Sequence, residues 1–326
     1  MKNMNYHTGS LSDMRFLVTG GAGFIGSHIV DYLMNHGAGF VRVVDNLATG
    51  FQKNISHHLE LKNFEFHKAD LVDPQVCMDM CAGIDIMFHQ AAIGSVPRSI
   101  EQPLVTNLNN VTTQLNILWA CVQNKVPRLV YASSSSVYGD DSTFPKVEEI
   151  TGKPLSPYAV SKKVNELYAG VFASLYDLKV LGLRYFNVFG PRQNPEGPYA
   201  AVIPLFIDAL HNGNQPIIYG EGEQSRDFTY VENIVQANMK AAFTENPEVF
   251  GNIMNIGAGG NTKVNELFRM IADTMGSDMQ PNYLPERKGD VLMSSASIEK
   301  ARKLIGYEPS VLIEEGLRLT IEAFNK

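Results

Sequence analysis

Short apolar runs alternate with stretches of helical periodicity over the first 190 residues of the chain. Runs rich in Val, Ile, Leu and Phe are typical of strands buried on both faces. They predict strands at 15–20, 40–45, 64–70, 84–92, 128–134 and 179–188. The segments between them predict helices over 24–35, 105–124 and 157–174. Repeated βα units of this kind specify a parallel sheet with helices on both faces.

The pattern changes after residue 190, where "GPRQNPEGPYAAVIP" is rich in proline and glycine and shorter apolar segments follow. We therefore expect a Rossmann-type, doubly wound α/β domain over 14–190. Residues 191–326 are expected to form mainly a smaller α/β substrate lobe, with the chain crossing back once. Residues 1–13 show no periodicity and are expected to form a flexible extension. The crevice between the lobes is the expected ligand site of such a sheet.

Composition narrows the function classes. The formal net charge of −7 argues against a general nucleic-acid binder. No apolar run approaches the roughly 20 residues that a membrane helix needs, and the leader lacks an apolar core. Three cysteines and no secretion signal favour a reduced, cytoplasmic setting. Cys77 and Cys81 lie one helical turn apart with no further ligands near them, so we predict no metal site.

The first strand leads into a glycine-rich turn that predicts a dinucleotide site. Gly20, Gly23 and Gly26 follow the strand and open a helix, whose free N–H groups suit a pyrophosphate. Asp45 ends the second strand, where a carboxylate can bind both ribose hydroxyls and would repel a 2′-phosphate. No arginine follows it in "NLATG", which favours NAD over NADP. The alternative is a glycine-rich turn that binds no ligand.

Further cofactor contacts are expected where the third and fourth strands end. Asp70 and Leu71 could border the adenine, and the small residues Ala91 and Ala92 would lie against the cofactor. The complete predicted NAD set is Gly20, Gly23, Phe24, Ile25, Gly26, Asp45, Asn46, Gly50, Asp70, Leu71, Gln90, Ala91, Ala92, Tyr158 and Lys162.

The segment "SPYAVSKK" holds the candidate catalytic residues. Tyr158 and Lys162 are four residues apart and share one helix face, whereas Lys163 is turned away by about 100°. Tyrosine titrates near ~10, so an adjacent ammonium and a cationic nicotinamide are needed to favour the phenolate. Ser134, at the end of the strand in "YASSSSVYG", can bond the same substrate oxygen. The alternatives are a surface Tyr–Lys pair and a polar serine loop.

The motifs "TGGAGFIG", "SSSSVYG" and "YAVSK" resemble the extended short-chain dehydrogenase/reductase family over nearly the whole chain. "GKPLSPYAVSKKVNELYA" and "RYFNVFGPRQNPEGPYAAVIP" are similar to bacterial UDP-N-acetylhexosamine 4-epimerases. This resemblance implies that Ser134, Tyr158 and Lys162 invert C4 of UDP-GlcNAc or UDP-GalNAc through a transient 4-keto sugar and NADH. It also implies a homodimer formed through the helices at 105–124 and 157–174.

The same resemblance implies the substrate contacts. Asn187, Arg226 and Arg287 would meet the diphosphate, which needs local positive charge on an acidic protein. Tyr219 and Asp290 would lie near the uridine. The complete substrate set is Gly94, Ser95, Ser134, Ser135, Asn187, Gln193, Ala201, Val202, Tyr219, Arg226, Arg287, Asp290 and Ser294. For each arginine alone, a surface ion pair is the alternative.

Other activities stay open at this point. A 4,6-dehydratase of this family carries an Asp-Glu pair where this chain has Ser135 and Ser136, which disfavours dehydration. A UDP-glucose 4-epimerase, a UDP-glucuronate 4-epimerase or a UDP-glucuronate decarboxylase remain alternatives, as does an NAD-sensing module without catalysis. Ser294 is expected to leave room for a 2-acetamido group, because related enzymes for plain hexoses carry tyrosine there. Alternatively, Ser294 only caps a helix or loop.

Overall fold

A seven-stranded parallel sheet forms the centre of the protein in this computed structural model, which describes residues 4–196, 200–286 and 293–325. Its strands are β1 (Arg15–Thr19), β2 (Phe40–Val44), β3 (Phe64–His67), β4 (Ile86–His89), β5 (Arg128–Ser134), β6 (Val180–Tyr185) and β11 (Ile253–Ile256). The strand order is β3-β2-β1-β4-β5-β6-β11. The chain therefore adds strands on one side of β1 as far as β3, and on the other side of β1 from β4 onward. This order is that of the dinucleotide-binding fold. The predicted fold class is confirmed.

Helices cover both faces of this sheet, because its inner strands are largely buried on both sides. They enclose two separate apolar cores, one on each face. The helices of the chain are α1 (Phe24–Asn35), α2 (Pro74–Cys81), α3 (Val96–Glu101), α4 (Pro103–Asn107), α5 (Thr113–Gln123), α6 (Pro157–Tyr176), α7 (Val202–His211), α8 (Val231–Phe243), α9 (Val264–Met275), α10 (Glu299–Ile305) and α11 (Ile313–Phe324).

The predicted helix 24–35 has the observed bounds of α1, and the predicted 157–174 is extended by two residues in α6. The helix predicted over 105–124 differs in detail. Helical structure runs from α4 to α5, but a π-helical turn, Leu108–Thr112, interrupts it. Asn110 in this turn is buried. Its side chain accepts a hydrogen bond from the Ile93 N–H and donates one to the Ile93 carbonyl oxygen. A π-turn at such a point is common beside functional sites.

The smaller lobe contains a third apolar core, built from α7, α9, α11 and short strands. These strands are β7 (Val188–Phe189), β8 (Ile217–Tyr219), β9 (Ser225–Arg226), β10 (Thr229–Tyr230), β12 (Thr262–Lys263), β13 (Asn282–Leu284) and β14 (Met293–Ser294). The chain returns to the large lobe twice after residue 190. Residues from α8 and β11 join its core, and residues from 296 to 307 join it again.

Residues 4–13 pack against the large lobe, whereas a flexible extension was expected from the polar composition of this segment. Leu11 is only 1% exposed, and Tyr6 stacks on Tyr32 of α1 with 5.6 Å between ring centroids. His7 Nδ1 lies 2.8 Å from the Tyr32 hydroxyl. Isolated aromatic and leucine side chains supply this contact, and such spacing leaves no periodic signal in the sequence. Among the described residues, no helix is both long and apolar enough to cross a membrane.

Candidate active site

A cavity of about 320 Å³ lies at the carboxyl ends of β1, β2 and β4, where the strand order reverses. Ligands of open α/β sheets bind at this position because the connections diverge there. The predicted cofactor residues that line it are Gly20, Gly23, Phe24, Ile25, Gly26, Asp45, Asn46, Asp70, Leu71, Gln90, Ala91 and Ala92.

Two glycines of the turn are required by close backbone contacts. Gly20 has φ of +64°, and a Cβ there would lie 2.8 Å from Ala91 Cα. A Cβ on Gly26 would lie 2.2 Å from the Gly20 carbonyl oxygen. The first turn of α1 holds no acidic residue, and no side chain caps it. Its uncapped N–H groups and positive dipole end therefore suit a pyrophosphate.

Asp45 is fixed beside this turn. Its carboxylate accepts hydrogen bonds from the backbone N–H of Ala22 (3.1 Å) and Leu47 (2.8 Å). Burial raises the pKa of Asp45, and these backbone bonds oppose that shift. The other predicted cofactor residues, Gly50, Tyr158 and Lys162, are not among the residues that line the cavity. Gly50 packs against Asp45, since a Cβ there would lie 2.9 Å from Asp45 Oδ2. The glycine turn and the anchored carboxylate fit a dinucleotide.

Sequence reasoning missed part of the lining: Val44, Ala48, Thr49, Ala69, Ile93, Asn109 and Thr113. The first four flank predicted residues and add mainly backbone and small side chains. Asn109 and Thr113 come from the π-turn region, which the helix prediction did not detect. Gly94, predicted near the sugar, lines this cavity as well.

The catalytic candidates meet at the end of β5. Ser134 is the last residue of that strand, and its hydroxyl lies near enough to the Tyr158 hydroxyl to lower the pKa of that phenol. Ser134 Oγ also accepts from Ser136 N at 3.2 Å. Ser156 caps α6 by accepting from Ala159 N at 3.1 Å, and Pro157 follows as the first helical residue. This cap fixes where the helix begins, and so places Tyr158 in its first turn.

Lys162 is oriented toward the same point, and Lys163 is not. The Lys162 ammonium donates to the Ala132 carbonyl oxygen at 2.9 Å and lies 6.0 Å from the Tyr158 ring centroid. Lys163 instead donates to Thr151 Oγ1 at 3.2 Å. Burial lowers the pKa of Lys162 to about 8, against a smaller raising effect from Glu166. Lys162 is therefore mostly charged at pH 7.

Two opposing effects act on the pKa of Tyr158. Burial raises the pKa of Tyr158, whereas the bond with Ser134 lowers it. The protein without ligand therefore holds Tyr158 as the phenol. A cation near its hydroxyl favours the phenolate.

A buried network that the sequence analysis did not predict supports these residues. Glu166, one helical turn beyond Lys162, forms a two-point ion pair with Arg184 of β6, at 2.8 and 2.9 Å. Ser133 Oγ donates to the same carboxylate at 2.7 Å. The network joins α6, β5 and β6 directly behind Ser134 and Lys162. The four-residue spacing from Lys162 to Glu166 was the signal available in the sequence.

A second cavity, of about 310 Å³, lies in the smaller lobe. The predicted substrate residues that line it are Asn187, Gln193, Ala201, Val202, Tyr219 and Arg226. Apolar residues complete it, among them Phe206, Ile218 and Phe228, together with Gln224. These were not predicted, because an apolar residue in a cavity wall and one in a core follow the same periodic pattern.

The remaining predicted substrate residues have different positions. Ser135 follows Ser134 in a 3₁₀ turn, and Ser95 caps α3 by accepting from Arg98 N at 3.3 Å. Ser294 lies in β14 as the register partner of Arg226. The helix that follows, α10, has Ile298 at its N-cap and no side-chain cap, so Ser294 does not cap it. Arg287 and Asp290 lie outside the described residues.

Comparisons with known proteins agree with this geometry. The family model of the NAD dependent epimerase/dehydratase family matches residues 16–257. The UDP-glucose 4-epimerase of Mycolicibacterium smegmatis is 37% identical over 314 residues, which are 95% of this chain and 98% of that protein.

Two solved structures are similar over almost their whole length. The UDP-N-acetylglucosamine 4-epimerase from Methanobrevibacter ruminantium, in complex with UDP-N-acetylmuramic acid, gives a TM-score of 0.91 at 41% identity. It covers 96% of this chain and 99% of that chain. The UDP-glucose 4-epimerase of Thermus thermophilus, in complex with NAD, gives 0.86 at 36% identity, with coverage of 96% and 99%. This chain therefore belongs to the NAD-dependent epimerase/dehydratase family.

Proposed function

We propose that this protein inverts C4 of UDP-N-acetylhexosamines, interconverting UDP-GlcNAc and UDP-GalNAc. The observation that carries the proposal is the meeting of Ser134, Tyr158 and Lys162 at the end of β5, the strand next to β4 in the sheet. A residue that removes and returns a proton at a sugar hydroxyl needs this position, next to the group that oxidises the carbon.

The chain supplies acid–base chemistry and orientation. NAD, held by the cavity at the turn of α1, supplies the oxidation and reduction at C4 when bound. Tyr158 takes the proton of the 4-hydroxyl and later returns it, and Ser134 bonds the same oxygen. The Lys162 ammonium favours the phenolate form of Tyr158 by charge. The sugar must present both faces in turn, so its anchor has to be the UDP group.

The second cavity suits that anchor. Arg226 supplies positive charge at a wall otherwise formed by apolar and amide side chains. Tyr219 and Phe228 offer aromatic rings for a uracil base. The predicted partners Arg287 and Asp290 would complete this site as part of the same proposal.

Two observations support an acetylated substrate: the small side chain of Ser294 and one similar enzyme. Ser294 is paired in register with Arg226, so its small side chain lies beside the proposed diphosphate ligand. Serine leaves space there for a 2-acetamido group. The similar structure from Methanobrevibacter ruminantium is a UDP-N-acetylglucosamine 4-epimerase.

UDP-glucose 4-epimerisation is the second candidate, because two of the similar proteins carry that name. The deciding experiment compares kcat/KM for UDP-GlcNAc, UDP-Glc and UDP-GlcA side by side, with C4 epimers identified by proton NMR. We expect the largest value for UDP-GlcNAc. A larger value for UDP-Glc would assign the second function, and carbon dioxide release from UDP-GlcA would assign decarboxylation.

We also propose a homodimer formed through the helical stretch of α4 and α5 together with α6. Both carry exposed apolar side chains, including Leu104 (84% exposed) and Leu175 (70%). On α6, Leu167, Val171 and Leu175 follow a four-residue spacing and form one outward stripe. A second copy of the chain can cover such a stripe by antiparallel helix packing.

Sedimentation equilibrium tests this assembly. Wild type should have twice the monomer mass of 36.0 kDa, and Leu167→Glu should shift it to the monomer. A monomeric wild type would contradict the proposal. The matched control is Leu312→Glu, an exposed leucine outside the two helical stretches.

A further inference from the structure

Helix α1 contacts both ligand regions of the protein. At its start, Phe24 and Gly26 line the cofactor cavity. Phe24 and Ile25 also pack against the apolar core of the smaller lobe. A helix is stiff over this length, so residues further along α1 hold a fixed position relative to the cofactor turn.

Asp31, two turns into α1, is a buried carboxylate with three charged or titratable partners. Its Oδ1 lies 2.9 Å from His57 Nε2 and 2.8 Å from His58 Nε2. Its Oδ2 lies 2.6 Å from Arg192 Nη2. His58 and Arg192 contribute most to holding the pKa of Asp31 below its usual value, against burial. Asp31 therefore binds a residue that is 161 positions away in the chain, on the loop that leads into the smaller lobe.

A second bond joins α1 to the same loop. His28, one turn before Asp31, has its Nε2 3.0 Å from the Pro191 carbonyl oxygen. Arg192 adopts φ of +68°, a left-handed conformation that is unfavourable for a residue with a Cβ. Partners on both sides of this peptide are what hold such a conformation in place.

The next residue of the loop is Gln193, at the second cavity, which we call the substrate cavity. Gln193 lines it, and its amide nitrogen donates to the Val188 carbonyl oxygen at 3.0 Å. Its Oε1 is buried and has no hydrogen-bond partner among the described residues. A buried amide oxygen without a partner is costly in a protein interior. A ligand donor group would satisfy it.

We propose that Asp31 and Arg192 form a latch between the lobes, which positions Gln193 to bind the sugar of the UDP-sugar substrate. Asp31 and Arg192 are positioning residues, because neither lines the substrate cavity. The inference rests on UDP-sugar binding and holds whichever hexose is preferred.

The same cluster has the spacing of a metal site, with the ligand atoms of Asp31, His57 and His58 within 4.8 Å of one another. Two features favour the latch. Arg192 already places a positive charge on the same carboxylate, which opposes a second cation. Each imidazole also needs a proton on Nε2 to bond Oδ1, and a metal would displace that proton.

The test measures binding of UDP-GlcNAc and of UDP to the NAD-loaded enzyme by calorimetry, together with kcat and KM. Asp31→Asn and Arg192→Gln should each weaken UDP-GlcNAc binding about 10-fold or more, because a small misplacement of a positioning group has large effects. Binding of UDP alone should change less than 3-fold, and NAD content should stay at the wild-type level. Arg192→Lys should fall between wild type and Arg192→Gln, since lysine keeps the charge without the planar fork.

The double variant Asp31→Asn/Arg192→Gln decides whether the two residues act together. If the two residues act only through their ion pair, the double variant should bind UDP-GlcNAc no more weakly than the single variant with the lower affinity. Additive losses, or a lower melting temperature with unchanged UDP-GlcNAc binding, would overturn the proposal. Arg318→Gln is the matched control, because Arg318 forms exposed ion pairs on α11. If the hexose assignment is wrong, wild type itself fails with UDP-GlcNAc, whereas a failed latch shows only in the variants.

Discussion

The cofactor cavity and the substrate cavity have nearly the same volume, about 320 and 310 Å³, but different parts of the chain form their walls. Backbone turns at the ends of parallel strands form most of the first, with glycine and alanine at the closest approaches. Side chains from several separate segments form the second, including α7, β8 and β9. The first cavity is a property of the fold, and the second depends on individual side chains.

This difference decides how each cavity responds to mutation. A change in the cofactor cavity should reduce the amount of NAD that the protein retains. Activity should then fall equally with every substrate. A change in the substrate cavity should alter the choice of sugar and leave the cofactor bound. Changes at the catalytic candidates Ser134 and Tyr158 should lower kcat more than they weaken either binding step.

The largest effect is expected at Tyr158. Tyr158→Phe removes the hydroxyl that we propose exchanges the proton and should lower kcat by about 10²–10⁴-fold. Retained NAD and the Kd for UDP-GlcNAc should stay near wild type, because the ring remains. Tyr283→Phe is the control, since that tyrosine is exposed on β13. A kcat within 10-fold of wild type would exclude Tyr158 as the acid–base group.

Two neighbouring lysines give the next test. Lys162→Ala should lower kcat by about 10²-fold, because it removes the ammonium nearest Tyr158. Lys163→Ala should change kcat less than 3-fold, because that side chain is directed to Thr151. If Lys163→Ala were the more damaging change, the assignment of roles on α6 would be wrong.

The choice of sugar is tested through Ser294, which pairs in register with the cavity residue Arg226. Ser294→Tyr should lower kcat/KM for UDP-GlcNAc and UDP-GalNAc at least 10-fold relative to UDP-Glc and UDP-Gal, through a steric clash with the acetamido group. One pocket contact typically discriminates by 10–200-fold, or about 1–3 kcal/mol. An unchanged ratio between the substrate pairs would remove Ser294 from the specificity argument. A uniform loss for all four substrates would indicate a structural role.

The cofactor cavity is tested through Asp45. The purified protein should carry NAD(H), and added NADP⁺ should bind poorly. Asp45→Ala should reduce the NAD content, because it removes the proposed ribose ligand and leaves the Ala22 N–H without its acceptor, at a cost of about 1–3 kcal/mol. Asp278→Ala, at an exposed aspartate, is the control. Extraction of stoichiometric NADP from the native protein would contradict the assignment of NAD.

The smallest effect is expected at His28, where α1 meets the loop into the smaller lobe, and concerns the free energy of unfolding. Burial lowers the pKa of His28 to about 4, below the unfolded value of 6.5. Its contribution to stability is therefore present above pH 6.5 and is lost as the pH falls toward 4. Between pH 7 and 5 the free energy of unfolding of wild type should fall by about 2 kcal/mol relative to His28→Gln. Urea denaturation at both pH values measures this, and a constant difference would contradict the buried neutral state of His28.

The same contrast explains what could be predicted from the sequence. The glycine turn, Asp45 and the ends of β3 and β4 follow from apolar runs and fixed spacings, and most of the predicted cofactor residues line the cavity. Asn109 and Thr113 were missed because the π-turn, which carries Asn109 and ends just before Thr113, leaves no periodic mark. Glu166 and Arg184 were missed because their bond joins α6 to β6, which are paired only in the folded chain.

In the smaller lobe, the wall residues Phe206 and Ile218 look like core residues in a sequence. Residue-by-residue resemblance located Asn187, Gln193 and Arg226 there, where periodicity alone could not. The return of the chain to the large lobe at 296–307 likewise depends on packing of Ile298 and Tyr307. Short apolar segments carry no information about which core they join.

The central claim is that the hydride removed from C4 returns to C4 on the opposite face of the sugar. Tyr158 exchanges only the proton of the 4-hydroxyl. The most direct measurement follows UDP-GlcNAc labelled with deuterium at C4, with proton NMR of the UDP-GalNAc formed. Hydride chemistry at NAD predicts that the label remains on C4 of the inverted product and does not enter the solvent. Loss of the label to water, or a product lacking an oxygen from C6, would contradict the account.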